Sequence, residues 1–230
     1  MELTKIAGWI DRTLDVASFD DVSNNGVQVA RRGGDVRRVA FAVDADVKAV
    51  RAAAGAGAQL LVVHHGISWG GGIRRIEGGV YEVVKAAMDA DLAIYACHLP
   101  LDAHPKLGNN ACLARSLGLR RVKPAFRYHG NVIGLVGFRR EKVGGRVVER
   151  KVGVCSGGAG EFAEEAKRLG CDLFVTGEAS WGDVVAAENC GMKMELLGHY
   201  ASEVHGVRAL AGEMRRRLKV CTVDLTEALA

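Results

Sequence analysis

With 230 residues, 49% of them apolar and 25% charged, the chain has the mixture of a folded globular protein. It is long enough for one domain or two small lobes. Lys and Arg exceed Asp and Glu by only 31 to 27, a net +4 that gives no reason to expect nucleic acid as a partner. No run of about 18 uncharged apolar residues exists to cross a membrane. The opening MELTKIAGWIDRTLDV, with Glu2, Asp11 and Asp15, reads as an amphipathic helix and not as a secretory signal. Six dispersed cysteines (97, 112, 155, 171, 190 and 221) form no C-x-x-C pair and read as small hydrophobes of a reducing, cytoplasmic setting.

Short β-branched runs alternate with Ala-rich helical stretches along the chain, the pattern of an α/β protein. After the first helix, Asn25-Gly26 marks a turn into a short strand at 27–29. VAFAVDA from 39 predicts a strand, VKAVRAAAGAG a helix closed by glycine, and LLVVHH at 60–65 a buried strand. EVVKAAMDA and LAIYACH predict another helix and strand, and a loop with Pro100 and Pro105 leads to the helix of NNACLARSLGL. Helical period vanishes between about 120 and 150, where NVIGLVGFR and RVVERKVGV read as strands around a Gly144-Gly145 turn. Helices EFAEEAKRLG, WGDVVAAENCG and 200–218 then alternate with strands KVGVCS, DLFVTGE, MELLG and VCTVDL.

Two stretches pair without gaps as if duplicated. The segment from Val39 lies over that from Val152, so that Leu60 meets Leu173 and His65 meets Glu178. The segment from Val83 lies over that from Val184, bringing His98 onto His199 and Asp102 onto Glu203. The expected architecture is therefore two similar α/β halves, 1–119 and 151–230, joined by a strand-rich connector at 120–150. They form one compact unit with the site in a cleft at the strand C-termini, where α/β sheets hold ligands.

Six of the seven histidines fall in three short clusters, His64-His65, His98 with His104, and His199 with His205. Adjacent side chains of a strand point to opposite faces, yet at the strand end His64 and His65 can lean into one cavity; a plain hydrogen-bonded pair is the alternative. His199 and Glu203, at i and i+4 of a helix, share one face and can reach one ion, or form an ordinary surface pair. Pro100 disfavours a regular helix between His98 and Asp102, so that segment is expected to be a loop.

NNGVQV, VVHHGISW, CHLPLD with GNNACLARSLGL, VGVCSGGAG, TGE and GHYASEVHG, in that order over nearly the whole chain, resemble the Nif-three-like dinuclear metal-centre proteins. Homologues of that family are often labelled GTP cyclohydrolase I type 2. The resemblance implies two divalent metal ions, one held by His64 and His199 and the other by His65 and Asp102, with Glu203 bridging. It implies that His98 orients a ligand or a water, and it implies a homo-oligomer in the form of a hexameric ring. Longer relatives carry an inserted domain where this chain has room only for a hairpin-like connector. The segment Ser180-Trp181-Gly182-Asp183 lacks the histidines that some relatives have after TGE. Glu178 is either a proton-accepting carboxylate of the cleft or a helix-start acid.

Imidazole and carboxylate ligands suit Zn, Mn or Fe, and open positions on such ions suit hydrolysis of an electrophilic carbon or phosphorus. The expected function is a metal-dependent hydrolase acting on a nucleotide or related small molecule. The alternative is a non-enzymatic metal-binding ring that serves as scaffold or in metal delivery or regulation. Nucleic-acid binding would require a basic stripe on one face. Ser156–Gly160 is either a phosphate cradle or a tight turn, and Trp69 with Gly70–Gly72 is either a lid bearing a stacking ring or a subunit contact. The run Arg215–Arg217 reads as a solvated helix end, and His104, His129 and His205 carry no assigned role.

Overall fold

The computed structural model describes all 230 residues. They form two units: residues 1–101 with 207–230, and residues 102–206. The chain passes from the first to the second within the short helix α4 (Leu99–Ala103) and returns within the long helix α8 (His199–Leu218).

In the first unit, helix α1 (Leu3–Leu14) buries Ile6, Ile10 and Leu14 at helical spacing. Strands β1 (Gly26–Val29), β2 (Arg38–Asp44), β3 (Leu60–His65), β4 (Ala93–Ala96) and β10 (Cys221–Asp224) make one sheet in the order β1-β4-β3-β2-β10. All of its pairings are parallel except β1 on β4. The crossovers are α2 (Val47–Gly55) and α3 (Gly78–Asp89). Helix α2 starts where Asp46 accepts a 2.6 Å hydrogen bond from the Ala49 N–H, an N-cap that satisfies one of the helix's open donors. Ala40, Ala42, Val50, Leu61, Val63 and Ile94 are central to the buried core. The small Ala side chains let the helices lie close on the sheet.

In the second unit, β5 (Arg120–Tyr128), β6 (Asn131–Val143), β7 (Arg146–Gly158), β8 (Leu173–Glu178) and β9 (Met194–Leu196) pair in chain order. The first two pairings are antiparallel and the last two parallel. Helices α5 (Asn109–Ser116), α6 (Ala163–Arg168) and α7 (Trp181–Cys190) complete it, with Val152, Val154, Leu173, Val175 and Leu113 in a buried cluster.

The duplication is visible in the hydrogen-bond ladders. Val39 pairs with Leu60 in one sheet and Val152 with Leu173 in the other, the register given by the ungapped sequence pairing. In the second pairing, Leu61 opposes Ile94 while the matched Phe174 opposes Met194, one residue off the aligned Glu195.

Two similar α/β motifs are thus present, but the boundaries expected from sequence differ from those of the units. Residues 120–150 are strands of the second sheet, with β5 an additional third strand, and β10 completes the first sheet beside β2. Strand periodicity reveals that a segment pairs, not which sheet edge it joins. The segment after His98 is also helical, not a loop. Pro100 sits in the first turn of α4, where its missing N–H would have no helical partner in any case.

Candidate metal centre

The first unit gathers three imidazoles. His64 and His65 end β3, and His98 follows β4, its immediate parallel neighbour. Ring centroids lie 4.6 Å apart for His64–His65, 5.1 Å for His64–His98 and 5.7 Å for His65–His98. One ligand atom from each lies within 4.8 Å of those of the other two.

Every one of the three is held through Nδ1. His64 Nδ1 is 2.9 Å from the Cys97 carbonyl oxygen, His65 Nδ1 is 2.8 Å from Asp44 Oδ1, and His98 Nδ1 is 2.8 Å from Asp21 Oδ1. Carbonyl and carboxylate oxygens only accept, so each Nδ1 carries a proton, and the second ring nitrogen is the one that could reach a metal. Hydrogen bonding through the remote ring nitrogen is how proteins orient histidine ligands and raise their basicity.

The motif NNGVQV is what closes this pocket. Asn25 Oδ1 accepts from the His98 N–H at 2.8 Å, and Gln28 Oε1 accepts from the Ile67 N–H at 2.7 Å and the Ser68 N–H at 3.1 Å. Asp21 accepts from the Ser23 and Leu99 N–H groups and the Asn25 amide. Despite burial, these donors and His98 keep its carboxyl below the ordinary carboxylate range. Trp69 packs its ring against His98 edge-on at 5.1 Å and against His65 at 6.0 Å, with its indole N–H donated to the Gly66 carbonyl. It is therefore a wall of this imidazole pocket.

The second unit gathers carboxylates. Asp102 is buried in α4, and its Oδ1 accepts from the Asn109 amide at 2.9 Å and the Ser156 hydroxyl at 3.2 Å. Asn110 donates to the Ile133 carbonyl at 2.8 Å and accepts from the Ser156 N–H at 2.7 Å, pinning α5 to β6 and β7. Glu203 is only 3% exposed, and its Oε1 lies 3.2 Å from His199 Nε2 one turn earlier on α8. Glu178, the last residue of β8, brings Oε1 to 3.1 Å from His199 Nδ1.

The Glu203 hydrogen bond is the largest influence on His199. Partial burial opposes it and Glu178 adds to it, so the imidazole pKa is pushed up to about 9. The metal-free ring is a cation at neutral pH, and a cation placed between two carboxylates is the charge pattern that a metal ion would replace.

Glycine makes the carboxylate pocket possible. Gly157 has φ +69°, and a Cβ there would lie 2.4 Å from Glu203 Oε1 and 3.3 Å from His199 Nε2. A Cβ on Gly177 would meet the Ser202 hydroxyl at 2.5 Å. The stretch Ser156–Gly160 is thus a close-approach turn that admits α8. Glu178 does not start a helix; α7 begins with a capping box between Ser180 and Asp183.

All predicted ligands therefore lie at strand ends or on the helices that follow them: His64 and His65 with His98 in one unit, and Asp102, His199 and Glu203 with Glu178 in the other. Asp21, Asp44 and Asn109 carry no assigned role in the sequence, and Ser156 stands there only as the start of a glycine-rich turn. Asp44 had a signal, since it ends the strand beside β3 and pairs with His65. Asp21 had none beyond its nearness to NNGVQV. Of the cysteines, Cys97, Cys155 and Cys171 are buried as expected, whereas Cys221 is exposed.

Comparison with known proteins places the chain in a family. The profile of the Duf34/NIF3 (NGG1p interacting factor 3) family matches residues 1–149 and 143–228. A relative from Archaeoglobus fulgidus, named GTP cyclohydrolase 1 type 2 homolog, is 38% identical over 98% of both chains. Among solved structures, the structural-genomics protein ybgI, described as of unknown function, is 30% identical with a TM-score of 0.87 over 97% of both chains. TTHA1606 from Thermus thermophilus is 30% identical with a TM-score of 0.81 over 98% of both. Candidate ligands on a duplicated α/β frame and matches across nearly the full length lead to one assignment: the chain belongs to the Duf34/NIF3 family.

Proposed function

We propose that the protein is a dinuclear metal-dependent hydrolase acting on a nucleotide or related small molecule. Its ligands are His64 and His65 together with Asp102, His199 and Glu203, which take two divalent ions in all. The observation that carries this reading is the clustering of His64, His65 and His98, each anchored through Nδ1 and each with a possible ligand atom within 4.8 Å of the other two. Buried Asp102 and Glu203 supply the anionic charge that a divalent ion requires. The name GTP cyclohydrolase 1 type 2 homolog, borne by relatives at 32–38% identity, supports a purine nucleotide as the first substrate to test.

When bound, such ions supply Lewis acidity for hydrolysis. The protein's own groups do the rest. Asp21 fixes the ring of His98, which orients the substrate or the attacking water. Glu178, with 61% of its side chain exposed, stands beside His199 as a proton acceptor open to solvent. Ring-shaped homo-oligomerisation and a cytoplasmic location belong to the same proposal.

The test is elemental analysis of the purified protein, followed by turnover of GTP and other nucleotides with Zn, Mn or Fe restored. Glu203→Ala is expected to lose metal and activity together. Turnover unchanged in that variant would remove the centre from the chemistry, and tight metal binding without turnover of any nucleotide would favour the scaffold or delivery role.

A further inference from the structure

The net charge of the chain is a small difference between two unlike parts. Residues 120–151 hold ten of the 31 Lys and Arg but only two of the 27 Asp and Glu, a balance of +8 against −4 for the remainder. These residues are β5, β6 and about the first half of β7. The β6–β7 hairpin runs from Leu135 opposite Val154 to Val143 opposite Arg146. Pairing with β5 reaches only to Phe138, so residues 139–150 form a two-stranded arm beyond the three-stranded part of the sheet.

Directly opposed residues of a ladder share a face, which sorts the charges. On one face, Arg139 donates to Glu141 at 2.9 Å through Nε, and Arg150 lies 3.8 Å from both Glu141 and Asp172. Arg139 and Arg150 are thus matched by acids. The other face carries Lys123 with Val136, Phe138 with Lys151, Arg140 with Glu149, and Lys142 with Val147. Arg121 joins it by laying its guanidinium 4.3 Å over the Phe138 ring and pairing with Glu149. Arg120, directly opposite Phe138, shares the face as well, so six cations face one acid there, and Arg120, Arg121, Lys123, Arg140 and Lys142 are exposed.

We propose that this face binds a nucleic-acid strand through its phosphates. From the level of Lys123 to Lys142 the stripe covers six residue steps of β6, about 20 Å at ~3.3 Å per residue. That is the rise of about six nucleotides at ~3.4 Å each. Cations two residues apart on one face of a strand offer repeated phosphate contacts without reading sequence. Beside them a cavity of about 240 Å³, lined by Arg121, Lys123, Val136, Phe138 and Lys151, offers an aromatic–guanidinium surface of the kind on which bases stack. An anionic lipid surface would use the charges but not this cavity. The inference is independent of the metal site.

The test uses the full chain and a labelled 20-nucleotide single-stranded DNA in an anisotropy titration between 50 and 300 mM NaCl. Three or four phosphate contacts predict a slope of log affinity on log salt of about −2 to −3. Reversing two charges in R140E/K142E is expected to weaken binding at least tenfold and to flatten the slope by about 1.4, or ~0.7 per contact. R217E, on a helix end remote in sequence, serves as the control and should bind as the parent does. Melting temperature and metal content should be equal in all three proteins. No binding at 50 mM salt, a flat salt dependence, or undiminished binding by R140E/K142E would overturn the proposal. Capture of phosphatidylserine vesicles in place of the oligonucleotide would do so too.

Discussion

The two units share a β-α-β frame down to the register of Val39–Leu60 and Val152–Leu173, yet their strand ends carry opposite chemistry. In the first unit, the ends of β3 and β4 lead into imidazoles, each fixed by an oxygen acceptor. In the second, the ends of β7 and β8 are glycine-rich, and the reactive groups come mainly from α4 and α8. The difference lies partly in one irregularity. Asp44 pairs with His65 in regular register, whereas β7 slips between Cys155 and Gly158 before pairing with Glu178. That slip puts Gly157 in the left-handed conformation and opens room for Glu203. A duplicated frame can thus keep its core and change its chemistry through a bulge and a few side chains at the strand ends.

The largest expected effect tests the imidazole unit at its most buried member. His64→Ala should lower metal affinity by at least the ~100-fold that marks the upper end of losses from groups merely supporting a ligand. Calorimetric titration of the metal-stripped protein measures it, and near-parental affinity would strip His64 of its role. Next in size is Asp21→Ala, which removes the acceptor for His98 and for two backbone N–H groups. It should cost ~10-fold to 100-fold in metal affinity or activity, with a loss of about 1–3 kcal/mol in urea unfolding as buried donors go unsatisfied. Gly157→Ala probes the other unit. The left-handed backbone alone should cost about 1–2 kcal/mol, and displacement of Glu203 should weaken metal binding, whereas a parental denaturation midpoint would show that the turn can relax.

The smallest effect is on pH dependence, and it belongs to the carboxylate unit alone. In metal-free protein the folded-state pKa of His199, about 9, lies above its ordinary 6.5. The folded state therefore holds the proton more tightly. The stabilisation is complete below pH 6.5 and is lost as pH rises through 9. Melting temperatures of metal-stripped protein should fall across that window, and the fall should be smaller in His199→Gln. Equal slopes for the two proteins would show that the Glu203–His199–Glu178 array does not couple to folding.

Much of the frame was legible because its signals are local. Buried parallel strands such as LLVVHH are continuous apolar runs, and glycine marks the helix ends. The histidines could be found because strand termini in this fold class are where ligands bind. What was hidden depends on partners distant in sequence. Asp21 reaches His98 across 77 positions and Ser156 reaches Asp102 across 54, and neither pairing leaves a periodic trace. The helix at Pro100 was hidden for a subtler reason, since proline breaks a helix only beyond its first turn. The basic face was hidden because net charge averages over the whole chain, and a strand's two faces separate only when register is known.

Local sequence decided the element types, the repeated β-α-β segments and the residue types able to ligate a metal, because propensity, periodicity and spacing act over a few residues. Only tertiary structure decided that β10 completes the first sheet, that β5 to β7 belong to the second, and which oxygen fixes each imidazole proton. Those outcomes are set by strand-edge hydrogen bonds and by side chains meeting across long stretches of chain, where folding free energy, not neighbourhood in sequence, selects the partner.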